Sequence, residues 1–196
     1  MENNYKNFIN KEDEKKKTIE SVIFIAICAL IVVFCYVFFN YSVKEVIVSG
    51  PSMERTLYNG DVLYLSVNKK PKINDIVVIS GESEDEWIIK RVIGLAGDEI
   101  EIKGGYVYRN GEKLVDDYNQ YGYTEAYSWE KRVLTNGEVF YLGDNRAVSK
   151  DSRNAYFQTC TKDQVVGVVS NFSLRIKKFS TFVFYKIKMP ILNAFK

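Results

Sequence analysis

The stretch Trp87-Ile88-Ile89-Lys90-Arg91-Val92-Ile93 decides the fold. Its aromatic and β-branched residues are typical of a β-strand built for burial. Two adjacent cations, Lys90 and Arg91, interrupt it. Because successive side chains of a strand point to opposite faces, one cation can enter a site while the other reaches solvent. The stretch therefore predicts a core strand that carries a candidate functional charge.

Short runs of the same kind lie on both sides of this stretch and are separated by turn signals. Asn110-Gly111 predicts a β-hairpin, and Asn136-Gly137 predicts another tight turn. The irregular, Tyr-rich residues 116–132 predict a long surface loop, and we find no long helical pattern beyond residue 41. The fold class is therefore mostly β, with an antiparallel β-rich domain behind one N-terminal transmembrane helix. The further strands are predicted over residues 44–48, 61–67, 75–80, 106–108, 113–115, 139–142 and 164–171.

The N-terminal region contains a long apolar run, residues 21–39, without charge, Gly or Pro. As a helix it spans roughly 28 Å, close to the hydrocarbon thickness of a bilayer. It is longer than the core of a secretory signal and ends in bulky residues, so we expect an uncleaved transmembrane anchor over residues 19–40. A buried core helix is the alternative, although such helices usually carry a polar stripe. The preceding Lys15-Lys16-Lys17 predicts a cytoplasmic segment 1–18 and a β-rich domain on the outer side.

The amino-acid composition excludes several kinds of active site and metal site. The 196 residues carry a formal net charge of +2, which gives no sign of nucleic-acid binding. The chain has no His, which excludes Ser-His-Asp and Cys-His machinery and zinc sites built on His. Cys28, Cys35 and Cys160 form no pair that suggests a disulfide framework or a thiolate metal site. The sequence therefore implies neither a metal nor an organic cofactor.

The C-terminal segment 177–196 interleaves Lys with aromatic and aliphatic residues and has no acidic residue. Charges interrupt it too often for easy spanning, and such a segment suits the surface of an anionic bilayer. A disordered basic tail and a poor second span are the alternatives. We expect a membrane-proximal tail here, after a β-rich domain over residues 41–176.

A second short motif, Ser49-Gly50-Pro51-Ser52-Met53, follows the first predicted strand. A turn at this point can expose the Ser52 hydroxyl, which needs a neighbouring base to become a nucleophile. Without His the candidate bases are Lys, Asp, Glu and Tyr, and burial can lower the pKa of Lys90 enough to give the neutral amine. From the pattern alone, an ordinary turn and a Lys on the solvent face are the simpler interpretations.

Four blocks of the sequence resemble the motifs of the bacterial type I signal peptidases, the leader peptidase family of Ser–Lys dyad serine proteases. The blocks stand in the family's order behind an N-terminal anchor. The resemblance implies a membrane-bound serine endopeptidase that removes N-terminal signal peptides from secreted precursors, at the outer face of the bacterial plasma membrane. The four blocks are residues 49–57, 60–63, 90–98 and 143–153.

The resemblance also assigns roles to single residues. Ser52 matches the nucleophile, with its backbone N–H as an oxyanion donor, and Lys90 matches the general base. Ser149 matches the serine whose hydroxyl orients the lysine. Asp151 and Arg153 match an ion pair that supports the site, although an ordinary surface pair is the alternative.

Two further residues of the last block, Asp144 and Asn145, are expected to support the site. An extended substrate can add to the strand edges at residues 45–49 and 86–89. The family's preference for small residues before the cut implies shallow apolar pockets. Candidates to line them are Ile47, Val48, Ile88 and Val92.

The chain departs from the family's motifs at three positions. Arg55 and Ala96 stand where the family usually has Pro, which would stiffen the turns. Gly50 stands where some members have a hydroxyl, so a second oxyanion donor stays open. The alternative function is a non-cleaving relative that assists assembly of secreted or pilus subunits, which would be expected to lack Ser52 or Lys90. The expected partners are signal-peptide-bearing precursors and the lipid bilayer, and no nucleic acid.

Overall fold

The computed structural model describes residues 2–81, 86–114, 129–154 and 156–194. The chain divides into two compact units, Met1–Ser42 and Val43–Lys196. The first unit is a single helix, α1 (Glu2–Ser42). Its stretch Lys15–Val37 is exposed and, by length and composition, is able to cross a membrane. The apolar run predicted from the sequence is thus one continuous helix.

The described part of the second unit forms eleven strands in two antiparallel sheets, which confirms the predicted fold class. The strands are β1 (Val43–Ile47), β2 (Val62–Ser66), β3 (Ile76–Ser80), β4 (Trp87–Leu95), β5 (Glu99–Lys103), β6 (Tyr106–Arg109), β7 (Glu112–Lys113), β8 (Trp129–Val133), β9 (Glu138–Leu142), β10 (Cys160–Thr161) and β11 (Val165–Val169). The larger sheet has the order β1-β2-β11-β3-β4-β9-β10, and the smaller has β7-β6-β5-β8.

The central strand β4 leaves part of one edge open. It pairs with β3 from Trp87 to Arg91, where Lys90 stands opposite Val77. On its other edge it pairs with β9 only from Arg91 onward. Within the described ranges no strand covers that edge from Trp87 to Lys90, and β1 likewise has one strand neighbour, β2. Two strand edges are therefore available to an extended ligand.

Both predicted turns are confirmed. Asn110 and Gly111, with φ of 55° and 80°, join β6 to β7 in the left-handed conformation that this two-residue hairpin loop requires. Gly137, with φ of 87°, lies in the turn before β9, where the backbone N–H of Glu138 donates to Thr135 O at 3.1 Å.

The predicted surface loop over residues 116–132 is wrong at its C-terminal end. Residues from Trp129 onward form β8, which pairs with β5. The Trp129 ring packs edge-on against Phe140 with centroids 5.1 Å apart, which anchors the strand to the core. Residues 115–128 lie outside the described part of the chain.

The absence of helices beyond the anchor is also wrong. The chain ends in α2 (Asn171–Val183), a π-helical turn (Phe184–Lys188) and α3 (Met189–Ala194), so the boundary expected at residue 177 falls inside α2. Helix α2 packs here because part of the edge of β2 has no partner strand. Strand β11 pairs with β2 only at Leu65 and Ser66. Hydroxyls of α2 satisfy the rest of that edge: Ser173 Oγ accepts from Tyr64 N at 2.8 Å, Thr181 Oγ1 accepts from Val62 N at 2.9 Å, and Ser180 Oγ donates to Val62 O at 2.8 Å.

Candidate active site

The turn that carries Ser52, here called the Ser52 turn (residues 50–57), is fixed by its own buried side chains. Met53 and Leu57 belong to the main core cluster, and the backbone N–H of Leu57 donates to Met53 O at 2.8 Å. Gly50 has φ of 85°, and its N–H donates to Asn59 Oδ1 at 3.1 Å. Ser52 itself is partly exposed. The core therefore holds the turn while its Ser hydroxyl stays accessible.

Lys90 extends from β4 to this hydroxyl. Its Nζ lies 3.0 Å from Ser52 Oγ and 3.1 Å from Ile89 O. The residue is only 4% exposed, and this burial lowers the pKa of Lys90 to about 8. The carboxylates of Asp151 and Asp144 act in the opposite direction and limit the fall in pKa. The arrangement places a Lys that is readily deprotonated beside a Ser hydroxyl.

Arg91, the neighbour of Lys90, is not in solvent, so that part of the prediction is wrong. It is buried and forms a two-pronged ion pair with Asp144, with Nε–Oδ1 of 2.8 Å and Nη2–Oδ2 of 2.7 Å. Its Nη1 donates to Asn74 O at 2.8 Å, and Thr56 Oγ1 donates to Asp144 Oδ2 at 2.6 Å. Asp144 therefore binds both Arg91 of β4 and Thr56 of the Ser52 turn, and so connects the strand to the turn.

A second buried ion pair stabilises the segment after β9, here called the 143–153 loop. Arg153 Nε donates to Asp151 Oδ1 at 2.7 Å, and Arg153 Nη2 donates to Asp151 Oδ2 at 2.9 Å. The exposed fractions of the two side chains are 1% and 0%, which rules out the surface-pair alternative. Asp151 also accepts from the backbone N–H of Gly143 at 3.0 Å, and Arg153 donates to Arg146 O at 2.8 Å. The ion pair and these backbone contacts therefore stabilise the conformation of the 143–153 loop.

The 143–153 loop contacts the Ser52 turn directly. The backbone N–H of Asn145 donates to Ser52 O at 3.0 Å. Gly143 allows this approach, because a Cβ at that position would collide with Ser149 Oγ and with Ser52 O. The side chain of Asn145 reaches Glu54 Oε2 at 3.4 Å. Loop and turn are thus in backbone contact at Ser52.

Ser149 is buried at this junction, but its hydroxyl makes no hydrogen bond among the described residues. The structure therefore brings Ser149 to the site without joining its Oγ to Lys90 Nζ. An unpaired buried hydroxyl is unfavourable unless another group binds it.

The open edges of β1 and β4 face each other across a groove of about 370 Å³, here called the β1–β4 groove. Ile47 and Val48 line it from β1 and the residue after it, and Ile88 and Lys90 line it from β4. Ser52 lies in its wall. Apolar walls with a Ser and a Lys at one point suit an extended peptide.

Val92 does not line this groove, so that prediction is wrong. Its side chain is fully buried in the core cluster that includes Val77 and Tyr141. The cause is the register of β4: Val92 stands opposite Tyr141 of β9, and there β9 covers the edge that is open from Trp87 to Lys90. Only the N-terminal half of β4 can contribute to the groove.

A model of the family described as "Signal peptidase, peptidase S26" matches residues 17–173. The chain belongs to the signal peptidase family. A "Signal peptidase I P" from Bacillus subtilis subsp. natto is 35% identical over 173 residues, which cover 81% of this chain and 91% of that protein. A "Signal peptidase IB" from Staphylococcus aureus is 30% identical over 188 residues, which cover 86% of this chain and 94% of that protein.

A solved structure of a signal peptidase I from Enterococcus faecalis is also similar to this chain. It is 31% identical, has a TM-score of 0.44, and covers 52% of this chain and 98% of that one.

Two of the four blocks that resemble signal peptidase motifs, residues 49–57 and 143–153, supply the Ser52 turn and the loop against it.

Three residues at this signal peptidase site were missed by the sequence analysis. Arg91 and Thr56 bind Asp144, as described above. Lys177 of α2, beyond the residues that match the family, donates to Thr56 O at 2.6 Å and to Asp61 Oδ2 at 3.1 Å. For Lys177 the available signal was a polar stripe at helical spacing, formed by Ser173, Lys177, Ser180 and Thr181.

No other chemistry stands out in the described part of this signal peptidase. Burial raises the pKa of the Cys160 thiol to about 12, which keeps it protonated. Among the described residues no group of three or more His, Cys, Asp or Glu is arranged to hold a metal ion.

Proposed function

We propose that Ser52 and Lys90 form the catalytic dyad of a membrane-anchored signal peptidase that removes N-terminal signal peptides from secreted precursors. The observation that carries this proposal is the 3.0 Å contact between Lys90 Nζ and Ser52 Oγ, made by a buried Lys with a pKa of about 8. A Lys with an ordinary pKa is almost entirely protonated at neutral pH and cannot accept a proton. Burial supplies the neutral amine that the chemistry needs.

The reaction proceeds through an acyl-enzyme. The neutral amine of Lys90 takes the hydroxyl proton of Ser52 while Oγ bonds to the scissile carbonyl carbon. The backbone N–H of Ser52 stabilises the negative oxygen of the tetrahedral intermediate. Lys90 then gives the proton to the leaving amine, and the mature protein departs. Lys90 next takes a proton from a water molecule while the water oxygen bonds to the acyl carbon. The bond from that carbon to Ser52 Oγ then breaks as Lys90 returns the proton to Oγ, which releases the signal peptide and restores Ser52.

The β1–β4 groove binds the end of the signal peptide. An extended peptide adds its backbone hydrogen bonds to the open edges of β1 and of residues Trp87–Lys90. Ile47, Val48 and Ile88 provide the apolar pockets for small side chains before the cut. This mode fits cleavage of many precursors, because backbone hydrogen bonds do not depend on sequence.

The supporting residues keep Ser52 and Lys90 in position. Asp144 and Asn145 join the 143–153 loop to the Ser52 turn, and the pair of Asp151 and Arg153 keeps that loop folded. Ser149 orients Lys90 in the substrate complex, and its buried hydroxyl has no hydrogen bond among the described residues that it would have to give up.

The proposed topology is a single pass through the bacterial plasma membrane. Residues 1–18 lie in the cytoplasm, residues 19–40 form the anchor, and the peptidase domain lies on the outer face. The support is the apolar stretch Lys15–Val37 and the Lys triplet at its start.

The test is cleavage of a precursor that carries an Ala-X-Ala signal peptide, with full-length protein in liposomes. Ser52→Ala and Lys90→Met should each lower kcat by about a thousandfold or more. Lys131→Met, at an exposed Lys of β8, is the matched control and should cleave like wild type.

One outcome tests the assignment of the base, and the other decides between the two functions. If Lys90→Met cleaves at the wild-type rate, Lys90 is not the base. If the wild type is folded and membrane-bound but cleaves none of several precursors, the non-cleaving assembly factor becomes the better assignment.

A further inference from the structure

Helix α2 is turned with its polar side inward. The residues that face β2 are Ser173, Ser180 and Thr181, whose hydroxyls bind the β2 backbone. Lys177 joins them and donates to Thr56 O at 2.6 Å. A surface helix of a globular protein normally buries its apolar stripe instead. Leu174 packs against the main core cluster, but the three Phe residues of α2 lie on the side away from these bonds and are exposed.

The outward side, here called the outer face of α2, is aromatic. Phe172, Phe179 and Phe182 are 69%, 67% and 57% exposed. Their spacing of seven and three residues places them on one side of a helix. Tyr185 and Ile187, in the π-helical turn that follows, are exposed as well. An exposed aromatic surface of this length indicates a binding partner.

The charges on the same segment identify the partner. Residues 171–194 contain no Asp or Glu. Arg175, Lys178 and Lys186 are exposed among the aromatic side chains. Aromatic rings with interspersed cations match the interface of an anionic bilayer, which offers apolar chains below negative headgroups. A helix packed against a second protein would lack this one-sided charge excess at its core.

A contact at the start of β1 gives an independent reason for the same partner. Lys188 Nζ lies 2.6 Å from Glu45 Oε1, so the π-helical turn is held beside the first strand. Glu45 comes only eight residues after Val37, the last residue of the apolar stretch. Eight residues of helix and strand span less than about 20 Å. The π-helical turn that follows α2 is therefore bonded to the strand that comes a few residues after the membrane-spanning stretch.

We propose that the outer face of α2 and the following π-helical turn dock flat on an anionic bilayer, with Phe172, Phe179 and Phe182 at the level of the lipid headgroups and acyl chains. The segment lies on the membrane and does not span it, because its polar stripe stays bonded to β2. The proposal rests on anchoring by α1, but not on the catalytic roles of Ser52 and Lys90.

The test is depth-dependent fluorescence quenching in proteoliposomes, with the full-length chain. Phe179→Trp adds one emitter on the outer face of α2, and its contribution is read against wild type, which keeps Trp87 and Trp129. Lipids brominated on the upper acyl chain should quench about half or more of the added emission. Val133→Trp, at an exposed position of β8, is the matched control and should add emission that these lipids leave unquenched.

A second arm tests the charge. Added emission from Phe179→Trp should be quenched more strongly in vesicles with phosphatidylglycerol than in phosphatidylcholine alone. Replacing Arg175, Lys178 and Lys186 together by Gln should abolish that difference. Equal quenching in both lipids before this change would overturn the choice of an anionic surface.

The outcomes separate the possible failures. A chain that does not float with the vesicles contradicts anchoring by α1 and hence the proposed topology. A chain that floats while the introduced Trp emits like a solvent-exposed indole contradicts docking alone. A blue-shifted emission that brominated lipids do not quench assigns the outer face to a second copy or another protein, which also overturns the proposal.

Discussion

The proposed role of Lys90 as a base requires a neutral amine at working pH, whereas a Lys side chain is normally charged. Burial lowers its pKa to about 8, while the carboxylates of Asp151 and Asp144 hold the pKa above what burial alone would give. Two acids thus adjust the pKa of the proposed base: Asp151, which also accepts from the backbone N–H of Gly143, and Asp144, which also accepts from Thr56 Oγ1.

This adjustment predicts the pH dependence of activity. The value of kcat/KM should rise about tenfold per pH unit below the midpoint, which should lie near the Lys90 pKa of about 8. Cleavage of one precursor peptide by full-length enzyme in liposomes, followed from mildly acidic to alkaline pH, gives the profile. A midpoint at the ordinary Lys value, or below pH 6, would contradict a buried Lys base.

The same burial predicts that Lys90 destabilises the fold. With a folded pKa of about 8 and an ordinary value of 10.5, the charged Lys costs on the order of 3 kcal/mol below pH 8. Lys90→Met should therefore raise the free energy of unfolding at pH 7. The gain should shrink as pH rises from 8 to 10.5, because the folded wild type loses its proton there while the unfolded chain keeps it.

Chemical denaturation of both proteins in the same detergent, at several pH values, checks this. A gain that stays constant across that pH range would mean that Met packs better than Lys for reasons unrelated to charge. Lys103→Met, at an exposed Lys of β5, should show no pH-dependent difference.

Ser52 and Lys90 were predicted from the resemblance to the signal peptidase motifs, since the residue pattern alone favoured an ordinary turn and a Lys on the solvent face. In the structure Lys90 Nζ lies 3.0 Å from Ser52 Oγ. The burial of Arg91 was not predictable, because its partner Asp144 lies 53 residues away. Alternation assigns a face to a side chain but does not reveal what that face meets.

At the scale of elements, helix α2 supports the Ser52 turn through Lys177. Lys177 crosses from the helix to Thr56 O and Asp61, with a side chain only 19% exposed. We predict that Lys177→Met lowers kcat about fivefold to tenfold and changes KM little, because the turn loses a charged hydrogen bond but not the groove. Steady-state cleavage assays give both constants. Lys178→Met, on the outer face, should leave kcat unchanged in neutral detergent.

The 143–153 loop depends on its buried ion pair in a different way. Asp151→Asn leaves Arg153 charged and incompletely paired in the interior, and should lower the free energy of unfolding by about 3–5 kcal/mol. Lys131→Met breaks an exposed pair with Glu99 and should change it by less than about 1 kcal/mol. Denaturant titrations of the two variants in one detergent make the comparison. Similar effects of both changes would contradict the distinction drawn here between buried and exposed pairs.

The strands were predicted better than helix α2. Strands such as β5 bury alternate residues, Ile100 and Ile102, and this pattern is visible in the sequence. Helix α2 buries its polar residues and exposes its Phe residues, so a search for an apolar inner stripe misses it. The polar stripe of α2 is visible in the sequence, but the sequence does not show that its hydroxyls bind the backbone groups of β2 that β11 leaves unpaired.

At the scale of the whole molecule, the chain is two units joined at Ser42 and Val43. We predict that a fragment of residues 43–196 folds without α1 and cleaves a soluble signal-peptide mimic with a kcat within about tenfold of the full-length value. Circular dichroism and the cleavage assay test this. Since the outer face of α2 is aromatic, the fragment should need detergent to stay monodisperse. A fragment that lacks a cooperative melting transition would show that the units are interdependent.

One backbone angle in the Ser52 turn restricts how this enzyme can be altered. Arg55 has φ of 89°, whereas a proline ring confines φ to about −65°. The family's usual Pro at this position therefore cannot be introduced into the present turn without rebuilding it. Consensus engineering, which replaces rare residues by common ones to gain stability, would be harmful at Arg55. Gain of that Pro during evolution would likewise have required compensating changes elsewhere in the turn.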